Sequence, residues 1–256
     1  MRAILFHVYG PFAIQSYGLC IALGVALSFY FLLKDEKMNA LASHDQLINC
    51  FQIGIVSAVL GGRILFFISN PSQFNSLLDF CAVWNGGLSI LGAVFLSIMA
   101  LVVYLKKNSV PLLAFLDRAA IYAPLMEAFG RFGCFFSGCC YGKPTNLFCA
   151  VTYTDIQSKA PLYIAIHPTQ IYSALLLFSL FLFLYWMGRG SKPSGYLFFS
   201  YLLGMSAIRF GIDFLRWDRE FSFYSEYFSI YQIIAIFSFI CGIIGLVTIS
   251  FYKKNH

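Results

Sequence analysis

Gly130-Arg131-Phe132-Gly133-Cys134-Phe135-Phe136-Ser137-Gly138-Cys139-Cys140-Tyr141-Gly142 sets an arginine and three cysteines at the end of an otherwise apolar segment. A charge inside a bilayer costs roughly 2.5–3.5 kcal/mol even on insertion scales, so an intramembrane arginine is by default a functional residue. The surrounding chain makes it intramembrane. It is 60% hydrophobic, 19% aromatic and 11% charged, whereas soluble domains carry about 25% charged residues. Its 256 residues accommodate about seven spans of ~20 residues joined by short connections. The expectation is an all-α polytopic membrane protein with seven transmembrane helices, residues 1–256 forming a single transmembrane domain.

The formal charge of +6 reads as loop lysines and arginines that set topology, and no nucleic-acid signal accompanies it. Cysteines stand at 20, 50, 81, 134, 139, 140, 149 and 241. Those inside apolar runs read as small packing residues. The spacing Cys134-x4-Cys139-Cys140 and the four histidines match no zinc pattern, so no metal and no cofactor is assigned. The apolar N-terminal run is too long for a signal peptide and lacks a small-residue cleavage pair; it reads as a retained first span.

The expected spans are Phe12 to Leu33, Leu47 to Ser69, Asn85 to Tyr104, Val110 to Gly138, His167 to Met187, Tyr196 to Leu215 and Ile230 to Tyr252. A short stretch from Leu77 to Trp84 reads as interfacial, and Tyr141 to Ile166 as a polar loop. The fourth span is long and carries Asp117, Arg118, Glu127 and Arg131, consistent with a shallow, tilted or broken helix. Seven spans put the termini on opposite sides. One side collects Lys34, Lys37, Lys106, Lys107, Arg189, Lys192, Lys253 and Lys254; the other has Arg2, Lys143, Lys159 and Arg219. The richer side is cytoplasmic, which leaves the N-terminus outside and the C-terminus in the cytoplasm.

With that orientation Tyr17, Arg63, Asn85, Arg131, His167, Gln170, Tyr172, Arg209 and Asp213 all fall in the outward half of their spans. They imply a shared polar chamber open toward the outer leaflet. Arg209, Asp213 and Arg216, at i, i+4 and i+7, share one helix face, as do Glu127 and Arg131. Each pair taken alone reads equally as a structural ion pair, and His167 as an interfacial cap. Convergence favours a site: Arg63, Arg131 and Arg209 outnumber the nearby acids, and a lipid phosphate is the anion available to them.

The run Gly130-Arg131-Phe132-Gly133-Cys134-Phe135 resembles the signature of the prolipoprotein diacylglyceryl transferase family. Tyr17-Gly18, Gly61-Gly62-Arg63, Trp84-Asn85-Gly86-Gly87, Gly142, His167-Pro168-Thr169-Gln170-Ile171-Tyr172, Arg209 with Asp213 and Arg216, and Gln232 look like family motifs in family order. The resemblance implies transfer of the diacylglyceryl group of phosphatidylglycerol to the lipobox cysteine of a preprolipoprotein, by a monomer in the bacterial cytoplasmic (inner) membrane. It implies that Arg131 and Arg209 hold the phosphate, and the candidate catalytic residues are Arg131, Arg209, His167, Tyr17 and Cys139. Substrate binding falls to Arg63, Asn85, Gly86, Gly87, Cys134, Gly142, Gln170, Tyr172, Asp213, Arg216 and Gln232. Displacement at an sp3 carbon by sulfur needs thiol deprotonation and neutralisation of the departing phosphate.

The chain departs from the family pattern where a base would sit. Cys134 and Ser137 stand for signature asparagines, Cys139 for the glutamate, Leu91 for a common histidine and Met205 for a tyrosine. His167, then Tyr17, are the remaining candidate bases, and Arg131 is expected to lower the pKa of Cys139. Two alternatives stay open: a family paralogue moving a lipid group to another acceptor, and a membrane thiol/disulfide protein using Cys134, Cys139 and Cys140.

Overall fold

The computed structural model describes residues 4–9, 12–71, 80, 87–218, 221–222 and 225–255. The chain folds as two compact units, Met1–Lys34 with Leu116–His256, and Asp35–Phe115.

In the first unit the expected opening span is shortened. Phe12–Gln15 (β2) pairs antiparallel with Ile4–Tyr9 (β1), Ile4 facing Gln15 and Tyr9 facing Phe12, and helix α1 begins only at Ser16 and ends at Leu33. A short run of β-branched and aromatic residues has no periodicity that separates a strand from a buried helix. The Gly10-Pro11 between the two runs is the turn signal that marks the hairpin in the sequence.

The smaller unit begins with a short helix, α2 (Glu36–Asn39), capped by the Asp35 carboxylate, which accepts from the backbone N–H of Lys37 and Met38. Helix α3 (His44–Ser69) starts on a capping box formed by Ser43 and Gln46. Helix α4 runs Ile90–Lys107. Gly61 of α3 and Gly92 of α4 bring their backbones together, so that a Cβ on either would run into the other's carbonyl. The third expected span therefore starts late. Gly87, at φ 77, takes the left-handed conformation, and Ser89 donates its N–H to the Gly62 carbonyl before α4 begins. Asn85, Gly86 and the interfacial stretch, Phe80 excepted, lie outside the described residues.

The fourth expected span is one continuous helix, α5 (Leu112–Ser137), with Pro124 inside it. Thr169–Gly188 (α6), Tyr196–Asp213 (α7) and Ile230–Asn255 (α8) follow. The charges low on α5 serve its neighbours. Asp117 accepts from the N–H groups of Gly195 (2.6 Å) and Phe198 (2.8 Å), capping the start of α7, and Arg118 donates to the Gly188 carbonyl that ends α6. A carboxylate at a helix N-terminus satisfies orphan donors and opposes the positive end of the helix dipole. Ile121, Tyr122, Leu180, Leu184 and Leu197 close the core among these helices.

The stretch read as a polar loop contains one small sheet, and a second precedes α8. Val151–Thr152 (β3) pairs with Ala165–Ile166 (β4), over a core of Tyr153, Ala160 and Ile166. Phe221–Ser222 (β5) pairs with Ser225–Ser229 (β6). By length and apolarity α1, α3, α6 and residues Ile230–Tyr252 of α8 can each cross a membrane; the protein is a mostly helical membrane protein.

Candidate functional site

The site lies in the larger unit, at the C-terminal end of α5. Gly138 follows the helix in the left-handed conformation (φ 72), and the Cys139 N–H returns to the Cys134 carbonyl at 3.2 Å. This is a glycine C-cap, the geometry that reverses a chain at a helix end. Other exposed carbonyls of the last turn are also taken: Phe135 accepts from the Tyr153 hydroxyl at 2.8 Å and Ser137 from the Lys159 N–H. Cys140, a non-glycine residue, is itself at φ 57.

The first turn of α6 locks this reversal. Thr169 donates its hydroxyl to the Cys140 carbonyl at 2.7 Å, and Gln170 its amide to the Cys139 carbonyl at 2.8 Å. Gln170, expected as a substrate ligand, is 1% exposed and so positions the turn. The result brings the sulfurs of Cys134, Cys139 and Cys140 within 4.8 Å of one another, a convergence that the spacing alone does not announce. The Cys139 thiol is not lowered as expected. The Cys134 hydrogen bond favours the Cys139 thiolate, but Cys140 and burial outweigh it and push this thiol up. Cys140 is the thiol held low, by hydrogen bonds from Cys134 and Cys139 first, and, against burial, by the guanidiniums of Arg216 and Arg131.

Tyr17 belongs to this cluster. Its ring lies against Gly133, where any Cβ would crowd it, and its hydroxyl is within electrostatic reach of Cys134, Cys139, Cys140 and Arg131. One face is thus closed by α1 and the other by arginines. Arg209 stands over the Tyr231 ring at 4.5 Å and Arg216 over the same ring at 5.5 Å, while Arg209 senses Arg131, Arg216 and Cys140. Neither Arg131 nor Arg209 forms a hydrogen bond or ion pair with a described residue. The acids nearby are committed: Glu127 accepts from Tyr201 at 2.6 Å, Asp218 holds Arg216 at 2.9 Å, and Asp213 accepts from Ser229 at 2.6 Å, 3.9 Å from Arg216.

Gln232, expected at the substrate, is fully buried in a capping box: Ser229 accepts from its N–H and its side chain accepts from the Ser229 N–H, both at 3.1 Å. Its role is to start α8 and present Tyr231. Gly142 runs between two backbones, donating to the His167 carbonyl and bridging Arg216, and a Cβ there would collide with His167. His167 sits with Tyr172, Nδ1 to hydroxyl 3.4 Å, and Tyr172 meets Cys149 at 3.0 Å. In the other unit the buried Arg63 donates to the carbonyls of Phe80 and Gly87 at 2.9 Å each.

Sequence reasoning missed Tyr231, Tyr201 and Ser229, which act through partners on other helices and have no motif of their own. The one available signal was Ser229 three residues before Gln232, the pattern of a capping box.

The model of the prolipoprotein diacylglyceryl transferase family matches residues 3–248. A Clostridium tetani protein named phosphatidylglycerol–prolipoprotein diacylglyceryl transferase is 34% identical over 243 residues, 95% of this chain and 96% of its own. A Clostridium perfringens protein of that name, numbered 2, is 33% identical over 249 residues, covering 95% and 94%. A Clostridium botulinum (strain Langeland) relative is 30% identical over 266 residues and the full length of both chains. With Arg131 and the thiols gathered at the end of α5 and its length matched almost throughout, the chain belongs to the prolipoprotein diacylglyceryl transferase family.

Proposed function

We propose that the protein transfers the diacylglyceryl group of phosphatidylglycerol to the lipobox cysteine of a preprolipoprotein, releasing glycerol phosphate. One observation carries the reading: Arg131 and Arg209 stand in one site without a hydrogen-bonded carboxylate among the described residues. Two guanidiniums that repel one another are stabilised by an anion, and a phosphodiester fits their forked donors. Buried Arg216 Nη1, which has no hydrogen-bond partner among the described residues, adds a third donor. As the acceptor sulfur attacks the glyceryl carbon, negative charge grows on the phosphate oxygen that leaves. Donors already fixed by Tyr231 and Asp218 stabilise that charge without reorganising.

In this reading all 256 residues form one membrane domain of seven crossings, made by α4, α5 and α7 as well as the four strongly apolar helices. The N-terminus is outside, the C-terminus cytoplasmic, and the site faces the outer half of the bacterial inner membrane, as the lysine clusters at span ends support. His167 and Tyr172 line the approach of the substrates to the arginines.

The test is transfer by purified protein in phosphatidylglycerol vesicles to a synthetic lipobox peptide, with complementation of a strain depleted of its own diacylglyceryl transferase. A peptide mass increased by one diacylglyceryl group, with growth restored, is the expected result. Intact peptide and no growth from a folded, membrane-inserted protein would overturn the proposal.

A further inference from the structure

Cys134, Cys139 and Cys140 place three sulfurs within 4.8 Å of one another, and a disulfide can use only two of them. Four thiolates at ~2.3 Å around zinc lie about 3.8 Å apart, a separation reached here by small side-chain rotations. The backbone is set for it beforehand: the left-handed Gly138 and Cys140 turn the chain, and Thr169 and Gln170 clamp the two cysteine carbonyls. Such outer partners orient ligands in metal sites. Soft thiolate-only donors select zinc among redox-inactive metals.

We propose that Cys134, Cys139 and Cys140 form a three-thiolate zinc site whose fourth position takes the thiol of the acceptor protein. The metal-binding half stands on the sulfur geometry; the acceptor half rests on the transferase reading above. Three protein ligands with one open position is the arrangement of catalytic zinc, and a closed structural site has four. Three thiolates on Zn2+ leave a charge of −1, and a fourth makes it −2. Cations around the cluster offset that charge: Arg131 and Arg216 act on Cys140, Lys159 acts on Cys139, and Arg209 senses Cys140.

The step balances without a separate base. Coordination releases the acceptor's S–H proton to solvent and leaves a zinc-bound thiolate. That sulfur's electron pair forms the S–C bond to the glyceryl carbon as the C–O bond to phosphate breaks. The phosphodiester monoanion becomes a phosphate monoester dianion, retained by the arginines until it leaves. Zinc undergoes no redox change.

The experiment measures zinc in full-length protein purified in detergent without chelator, and repeats the preparation with cobalt. About one metal per chain is expected, with the sulfur-to-cobalt charge-transfer absorption of a thiolate site. Cys134→Ser, Cys139→Ser and Cys140→Ser should each lower metal affinity by roughly tenfold or more, while Cys241→Ser, outside the cluster, leaves it unchanged. Helicity by circular dichroism verifies that each variant is folded. A lipobox peptide should intensify the cobalt–sulfur band, and its Cys→Ser analogue should not.

Metal-free protein that still transfers the lipid would overturn the inference and leave the transferase reading intact. So would stoichiometric copper, or a disulfide within the trio. Bound zinc and a peptide-sensitive cobalt band without lipid transfer would support the thiol site and count against the transferase reading alone.

Discussion

The Arg209 guanidinium lies 4.5 Å from the centroid of the Tyr231 ring, which it shares with Arg216 at 5.5 Å. One aromatic ring therefore meets two cations that would otherwise only repel. A cation–π interaction of this kind is worth about 0.5–2 kcal/mol, depending on desolvation. Tyr231→Leu should raise the KM for phosphatidylglycerol several-fold, and Tyr231→Phe, which keeps the ring, should stay near the parent. Initial rates against lipid mole fraction in mixed micelles read the difference.

Ser229 caps α8 and donates to Asp213 at 2.6 Å. Ser229→Ala removes both bonds, costing about 1–3 kcal/mol through the lost cap and the buried carboxylate left short of a donor. The melting temperature in detergent should fall by several degrees. Gln232→Ala acts on the same box, so the double variant should fall by less than the sum of the singles.

Gly142 admits no side chain against His167. Gly142→Ala should push the 142–143 backbone away from His167 and Leu215 and destabilise the protein by roughly 1–3 kcal/mol. Thermal unfolding read beside transfer rate should show both reduced, whereas Gly130→Ala, where a Cβ meets nothing within 4 Å, should leave stability nearly unchanged.

Arg131→Ala and Arg209→Ala should each abolish transfer in a folded protein, and lysine at either position should rescue only partly, because a point charge lacks the guanidinium fork. Native mass spectrometry of retained phosphatidylglycerol is the check. Unchanged binding in the double alanine variant would remove the lipid from this site.

His167 opens α6 beside the loop placed outside by the lysine count. A His167→Cys change in a cysteine-depleted background should react with an impermeant thiol reagent added to the outer face of intact cells. Reaction only from the cytoplasmic face would reverse the topology.

Much of this arrangement was legible in the chain. Apolar length announced a helical membrane protein, and Gly130 to Gly142 announced where its chemistry gathers. The hairpin before α1 was legible only in its Gly10-Pro11 turn signal, because runs of 6 and 4 residues carry too little periodicity to separate strand from helix. Gln232 and Gln170, expected at the substrate, are also buried amides that hold backbone in place, a role that for Gln170 no motif of its own announces. Cys139 was expected to be lowered, but Cys140 and burial push it up; the turn through left-handed Gly138 and Cys140, which no spacing rule encodes, sets the three thiols against one another.

Asp117 meets α7 at Gly195, Glu127 meets it at Tyr201, and Arg131 senses Arg209. The interval from Asp117 to Arg131 along α5 equals that from Gly195 to Arg209 along α7. These two helices therefore work as a pair of rulers that agree at the carboxylate cap and at the arginines; between them Tyr201 lies four residues nearer the cap than Glu127, and its long side chain spans the offset. One residue inserted into either ruler turns everything beyond it by about 100° and swings its arginine off the phosphate. A change of length between these marks has to occur in both helices at once.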